Sequence, residues 1–216
     1  MKASSVAVLV FAVPWRESHE KCFASIEVSD IGKNYTVCRH PEGMHKNDHW
    51  RETHLLAAQS ETDLVLVLED DVIVNRNILH NVSTWCWPKH KEFRAGWLMN
   101  VGARSGYDEW FEGNEWCCTQ GVVYRPSKLG KLVDIAWERM KDGTPWDLAI
   151  SWAANREGRI RTHVPSLVEH LDHMPSVVGN QPGELRTSRG TFDEKWKRPD
   201  HHQHGLLDEY GRARSM

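Results

Sequence analysis

The stretch Asp63-Leu-Val-Leu-Val-Leu-Glu-Asp-Asp-Val-Ile-Val-Asn75 constrains this chain more than any other. Five apolar residues, Leu64 to Leu68, run directly into Glu69, Asp70 and Asp71. A short, unbroken run rich in Val and Leu predicts a strand buried on both faces, as in a parallel sheet. Acids at the carboxyl end of such a strand stand where open α/β sheets bind ligands. Adjacent carboxylates repel one another, and desolvation beside a core strand sharpens the repulsion. A hard divalent cation, Mg²⁺ or Mn²⁺, relieves it and bridges carboxylate to phosphate. A solvated acidic turn is the plainer alternative; the position directly after a buried strand favours the cation.

The remaining periodicity builds an α/β frame around that strand. Val6 to Val13 predicts a first buried strand, Glu20 to Val28 a helix with Cys22, Phe23 and Ile26 inward, and Tyr35 to Cys38 a second strand. Asn47 or Asp48 is expected to cap a helix reaching about Ser60, with Trp50, His54, Leu55 and Ala58 on one face. Strand, helix, strand, helix, strand is the opening of a nucleotide-binding half-domain. In that arrangement the loop after the first strand, with Arg16, meets a nucleotide or its diphosphate, a surface salt bridge being the alternative. Asn47 faces the nucleotide and Arg51 reaches for phosphate. Beyond the acids come a short helix from Asn77 to Trp85, a strand from Gly96 to Val101, and a long loop from Gly102 to Glu115. Aromatics on that loop suit a sugar platform or packing on the core. A strand from Thr119 to Tyr124 and a helix from Lys128 to Lys141 capped by Ser127 follow. Thr144-Pro-Trp-Asp147 starts another helix, with Thr as cap, Pro at the first position and an acid at the third. Arg159 to Val164 is the last core strand.

Composition narrows the class. The chain has 216 residues, enough for one domain with a sizeable core. Residues 1–180 form the expected catalytic domain and 181–216 an irregular tail where apolar periodicity is lost. The formal net charge of -3 gives no global nucleic-acid footprint. No apolar run approaches the roughly 18 residues of a membrane span. Five cysteines without C-x-x-C spacing argue against a zinc site and suit a reducing cytoplasm. Eleven tryptophans are many for this length, and Trp serves both cores and sugar stacking. The loose cluster His201-His-Gln-His204 fits a solvated tail better than a metal site.

The strand ending in Glu69-Asp70-Asp71 resembles the metal-binding "DxD" signature of nucleotide-sugar glycosyltransferases of the GT-A fold. Val164-Pro-Ser-Leu-Val-Glu-His170 resembles the Pro-Ser-Leu-x-x-His stretch of bacterial, viral and N-acetylglucosaminyltransferase-like members. Small residues follow there, matched here by Ser176 and Gly179, whereas Asp172 and Met174-Pro175 depart from the pattern. The resemblance spans about residues 6–179. It implies a Rossmann-like, mixed but mostly parallel sheet flanked by helices in a single domain. It also implies a Mn²⁺ or Mg²⁺ cofactor held by Asp71 with Glu69 and by His170, or else His173. Asp70 turns the opposite way, towards the ribose or donor sugar, and Ser176 contacts the donor. Asp147 resembles the acid that such enzymes place below the acceptor, although an acid in a first helical turn is also an ordinary capping residue. A carboxylate base implies inversion at the anomeric carbon.

The expected activity is therefore transfer of a sugar from a nucleotide-sugar, UDP-sugar first, to a hydroxyl acceptor. That acceptor could be a glycan, a small molecule or a hydroxymethylated base in phage DNA. A small transferase without a membrane span suits the cytoplasm of a bacterial or phage setting. One alternative is a metal-dependent nucleotidyltransferase or phosphohydrolase, which would want a Gly-rich or Lys-bearing phosphate loop near the first strand; Pro14-Trp-Arg-Glu-Ser18 offers neither. The other is a non-catalytic carbohydrate-binding module built on the tryptophans.

Overall fold

The computed structural model describes residues 4–13, 19–99, 119–163 and 166–171, together with the backbone of 109–111. The run from Leu64 to Glu69 forms β3, with all six residues buried. It pairs in parallel with β1 (Val6–Ala12), which pairs in parallel with β2 (Thr36–Arg39). On its other side it meets β7 (Gly121–Tyr124) antiparallel. The sheet continues through β5 (Phe93–Trp97) and β8 (Arg159–Thr162) to a short edge strand β6 (Glu109–Phe111). The order is β2-β1-β3-β7-β5-β8-β6, and only β6 and β7 run against the rest. The sheet is therefore mixed and mostly parallel, with helices on both faces.

Alternation along the strands separates two cores. Leu9, Phe11, Val65, Val67, Val122 and Tyr124 pack on one face against α2 (Lys46–Ala58), α4 (Pro126–Met140) and α5 (Trp146–Glu157). Val8, Val10, Leu66, Leu68 and Val123 pack on the other against α1 (His19–Val28) and α3 (Ile78–Thr84). Helix α4 shows the physics plainly. Pro126 opens it, where its missing N–H costs nothing. Leu129, Leu132, Val133, Ala136 and Met140 then make one inward stripe. Three tryptophans, Trp50, Trp85 and Trp97, are core residues.

Several boundaries differ from the sequence reading. Helix α2 starts at Lys46 and is capped by His45, whose Nδ1 accepts the Asn47 N–H at 3.3 Å; neither Asn47 nor Asp48 is the cap. Arg125 rather than Ser127 stands at the cap of α4. Helix α5 starts at Trp146 after Pro145, so Thr144 does not cap it. Fraying and cap chemistry commonly move such limits by a residue or two.

A second sheet was not anticipated. Strand β4 (Val72–Val74), directly after the acids, pairs antiparallel with β9 (Val168–His170). His170 is thus the last residue of a strand. A Cβ on Gly121 would lie 2.7 Å from Val168 Cγ2, so the absence of a side chain lets β9 sit directly on β7. Gly121→Ala is expected to cost about 1–3 kcal/mol through overpacking. Chemical denaturation should show this loss, and Val168→Ala in the same chain should recover part of it; no recovery would mean that the contact does not set the packing.

Candidate active site

The carboxyl end of β3 delivers its three acids in different directions. Glu69 is the last strand residue, with Phe11 of β1 as its register partner. Its Oε1 accepts the Thr119 hydroxyl at 2.7 Å, and its backbone N–H donates to Gln120 O at 2.9 Å. Glu69 is thereby built into the β3–β7 junction. Its charge, after burial, helps push the Tyr124 hydroxyl above the usual phenol range.

Asp70 takes the opposite direction, as alternation requires. It is fully buried. Its Oδ2 accepts the Val13 N–H at 2.7 Å and stands 2.5 Å from His19 Nε2. Val13 and His19 are the residues on either side of 14–18. This carboxylate therefore ties the end of β1 to the start of α1. The side chain expected to face a ribose or donor sugar thus makes short contacts to a backbone amide and an imidazole.

Asp71 begins the turn into β4, and the second sheet gives it a partner far along the chain. Val72 lies opposite His170, and the Leu171 N–H donates to Asp71 O at 2.9 Å. This register brings Asp71 Oδ2 to 3.3 Å from His170 Nε2, with both side chains largely buried. The donor set is a carboxylate oxygen with an imidazole nitrogen. Mn²⁺ accepts both, whereas Mg²⁺ prefers oxygen throughout. Among the described residues no three His, Cys, Asp or Glu side chains converge into a cage. The pair fits a cation that takes its other ligands from a diphosphate, as divalent ions in phosphoryl-binding sites commonly do.

Asp147 lies in the first turn of α5, half-buried, and its Oδ1 accepts the Leu148 N–H at 2.8 Å. The preceding Trp146 reaches Phe11 near the end of β1, with ring centroids 6.1 Å apart. That contact places the start of α5 at the edge where β1 and β3 end. Asn47, in the first turn of α2, is half-buried there, and neighbouring Lys46 lies over the Trp146 ring at 5.7 Å. Arg51 is turned elsewhere. It lies 3.9 Å from Asp134 and stacks over Trp137 at 5.2 Å, both on α4. Arg16, His173 and Ser176, the aromatic side chains of the loop before β7, and the tail beyond 180 lie outside the described residues.

Sequence reasoning missed one neighbour of this edge, His49, and placed another, His54, on the inward face of α2. His49 is buried, stacked on Phe11 at 4.4 Å, and shares a hydrogen bond with Cys38 O at 3.0 Å. Burial and nearby His40 lower its pKa to about 4. His54, fully enclosed against Trp50 and Tyr124, is also lowered to about 4 by burial. The α2 face was legible as apolar through Trp50, but not the rotation that turns His49 and Thr53 inward. A stability consequence follows from His54. Its folded pKa lies below the ordinary 6.5, so the unfolded chain binds the proton first as pH falls. Stability is full above about 6.5 and declines towards pH 4, by up to about 3 kcal/mol from this residue. Denaturation midpoints at pH 7 and 4.5 should differ clearly for the native chain and less for His54→Gln; equal pH dependence in both would mean that His54 is not held neutral.

No protein-family model matches the chain, and no curated protein matches it significantly in sequence. Solved structures do resemble it. The glycosyltransferase GlyE of Streptococcus pneumoniae TIGR4 superposes with a TM-score of 0.52 at 12% identity, over 86% of this chain and 58% of GlyE. A glycosyltransferase involved in the glycosylation of the major capsid of PBCV-1 is matched over 78% of this chain and 94% of its own, at 12% identity and a TM-score of 0.45. A putative glucose-1-phosphate thymidylyltransferase from Bacillus anthracis is matched at 10% identity and a TM-score of 0.41, over 77% of this chain and 89% of its own. The likeness to GlyE shows a shared fold of the GT-A type. No helix among the described residues is long and apolar enough to cross a membrane.

Proposed function

We propose that this chain is a metal-dependent, inverting glycosyltransferase that moves a sugar from a nucleoside diphosphate donor, UDP-sugar first, to a hydroxyl acceptor. The observation that carries the reading is the Asp71–His170 pair at the carboxyl end of the central strand. A carboxylate and an imidazole drawn together from opposite ends of the fold suit a Mn²⁺ ion better than a purely structural contact. Bound there, the cation would neutralise the leaving diphosphate. Asp71 and His170 would hold it, and Glu69 would brace the turn from below through Thr119 and β7. Asp147 would take the acceptor proton; the hydrogen bond it accepts from Leu148 N–H orients the carboxylate. A base acting on the acceptor from the face opposite the leaving group gives inversion. Asn47 stands on the same edge as a donor contact, whereas Arg51 serves the α2–α4 packing.

Calorimetric titration of UDP with Mn²⁺, and again with chelator, tests the donor site. Binding should require the metal. Asp147→Asn should retain that binding while slowing transfer by about 10²–10⁴-fold, the usual worth of a positioned base. The acceptor screen then compares glycans, small hydroxyl compounds and hydroxymethylated duplex DNA, and product analysis separates sugar transfer from nucleotidyl transfer. Absence of UDP binding under both conditions would sink the UDP-sugar reading.

A further inference from the structure

The flanks of α4 and α5 enclose an open cleft of about 510 Å³, within the size range of small-ligand sites. Its lining is mostly charged, with Ile135 and Trp152 as its apolar residues. Trp152, half-buried, stands at its centre. The Arg139 guanidinium from α4 lies 4.4 Å from the Trp152 ring centroid, and that of Arg156 lies at 5.3 Å. The neighbouring acids are engaged: Glu157 bonds to Lys131, and Glu138 pairs with Lys141. Arg156 also stands near enough to Glu157 to help lower its pKa, after the Lys131 hydrogen bond. Among the described residues neither Arg139 nor Arg156 forms an ion pair.

Two guanidiniums gathered over one indole leave N–H donors for a planar or tetrahedral oxyanion. Ile135 and the uncovered part of the indole offer apolar surface, and Asp142 on the rim offers an acceptor for hydroxyls. From this combination we infer that the cleft is a binding site for an acidic saccharide, a sugar ring carrying one carboxylate or phosphate. The apolar face of the ring takes Ile135 and Trp152, the hydroxyls take Asp142, and the anionic group takes Arg139 and Arg156. The site stands on α4, α5 and the turn between them and does not depend on the Asp71–His170 pair.

The test is titration of the ¹⁵N-labelled protein with glucuronate, glucose 6-phosphate, glucose and inorganic phosphate. The Trp152 indole N–H signal is assigned by its loss in Trp152→Phe. It should move saturably with one or both acidic sugars, and which of them acts identifies the anionic group. Glucose and phosphate alone should each bind at least roughly tenfold more weakly, because each lacks one half of the contacts. Arg139→Gln with Arg156→Gln should abolish the shift without changing the melting temperature, and Asp71→Ala should leave it intact. An unmoved Trp152 signal, or equal affinity for an acidic sugar and bare phosphate, would overturn the assignment. Loss of donor binding in Asp71→Ala with the Trp152 response preserved separates this site from the donor site.

Discussion

Asp71→Ala is expected to abolish metal-dependent UDP binding and to lower sugar transfer by about a thousandfold, the several kcal/mol that a cation supplies to a departing diphosphate. The chain should still fold. Asp71 contributes its backbone carbonyl to Leu171, and alanine preserves that bond. The backbone pairing of the β4–β9 ladder and the buried Val72 and Val74 likewise survive the substitution, so the loss of the Asp71–His170 contact lowers stability without removing the fold. His170→Ala should reproduce the binding defect in milder form, since a single neutral ligand is lost and the charge remains. Calorimetry with Mn²⁺ and UDP measures both variants directly. Unchanged metal-dependent binding in Asp71→Ala would remove the pair from the donor site and leave it a structural contact between β4 and β9.

How much of this was legible before the fold was known depends on the range of each interaction. The central strand was legible because Leu64 to Leu68 is a local pattern, and burial on both faces follows from it. The mostly parallel frame was legible for the same reason, since its strands and helices alternate at ordinary spacing. Strand β9 was not. Three residues carry no periodicity, and their partner β4 lies about a hundred positions earlier. Only the resemblance to the Pro-Ser-Leu-x-x-His stretch singled out His170, and nothing in local sequence showed that a second sheet would bring it to Asp71. The roles of the neighbouring acids were equally hidden. Alternation said correctly that Glu69 and Asp70 diverge, but it could not say what each would meet. Thr119, Val13 and His19 supply those answers, the first from 50 residues further along and the others from the opening of the chain. Arg51 shows the same limit: its contacts with Asp134 and Trp137 are ones that only helix packing could bring to it.

Asp70 gives the other large effect, and it is an effect on stability. Its carboxylate is fully buried and meets the Val13 N–H at 2.7 Å and the His19 imidazole at 2.5 Å. Alanine would strand a buried backbone donor and an imidazole whose partner has gone. Removing one partner of a buried pair costs about 3–5 kcal/mol, more than the pair adds over an apolar substitute, because the surviving polar group stays desolvated. Against a total stability of about 5–15 kcal/mol that is a large fraction. Asp70→Ala is therefore expected to unfold at much lower urea concentration than the native chain. Asp70→Asn keeps an oxygen for Val13 N–H but loses the charge facing His19, so its midpoint should fall between the two. At low temperature and without denaturant, the folded fraction of either variant should still bind UDP with Mn²⁺, because Asp71 and His170 are untouched. The reverse pattern, native stability with lost donor binding, would restore Asp70 to the role of donor ligand and show that its contacts to Val13 and His19 yield when the nucleotide-sugar arrives.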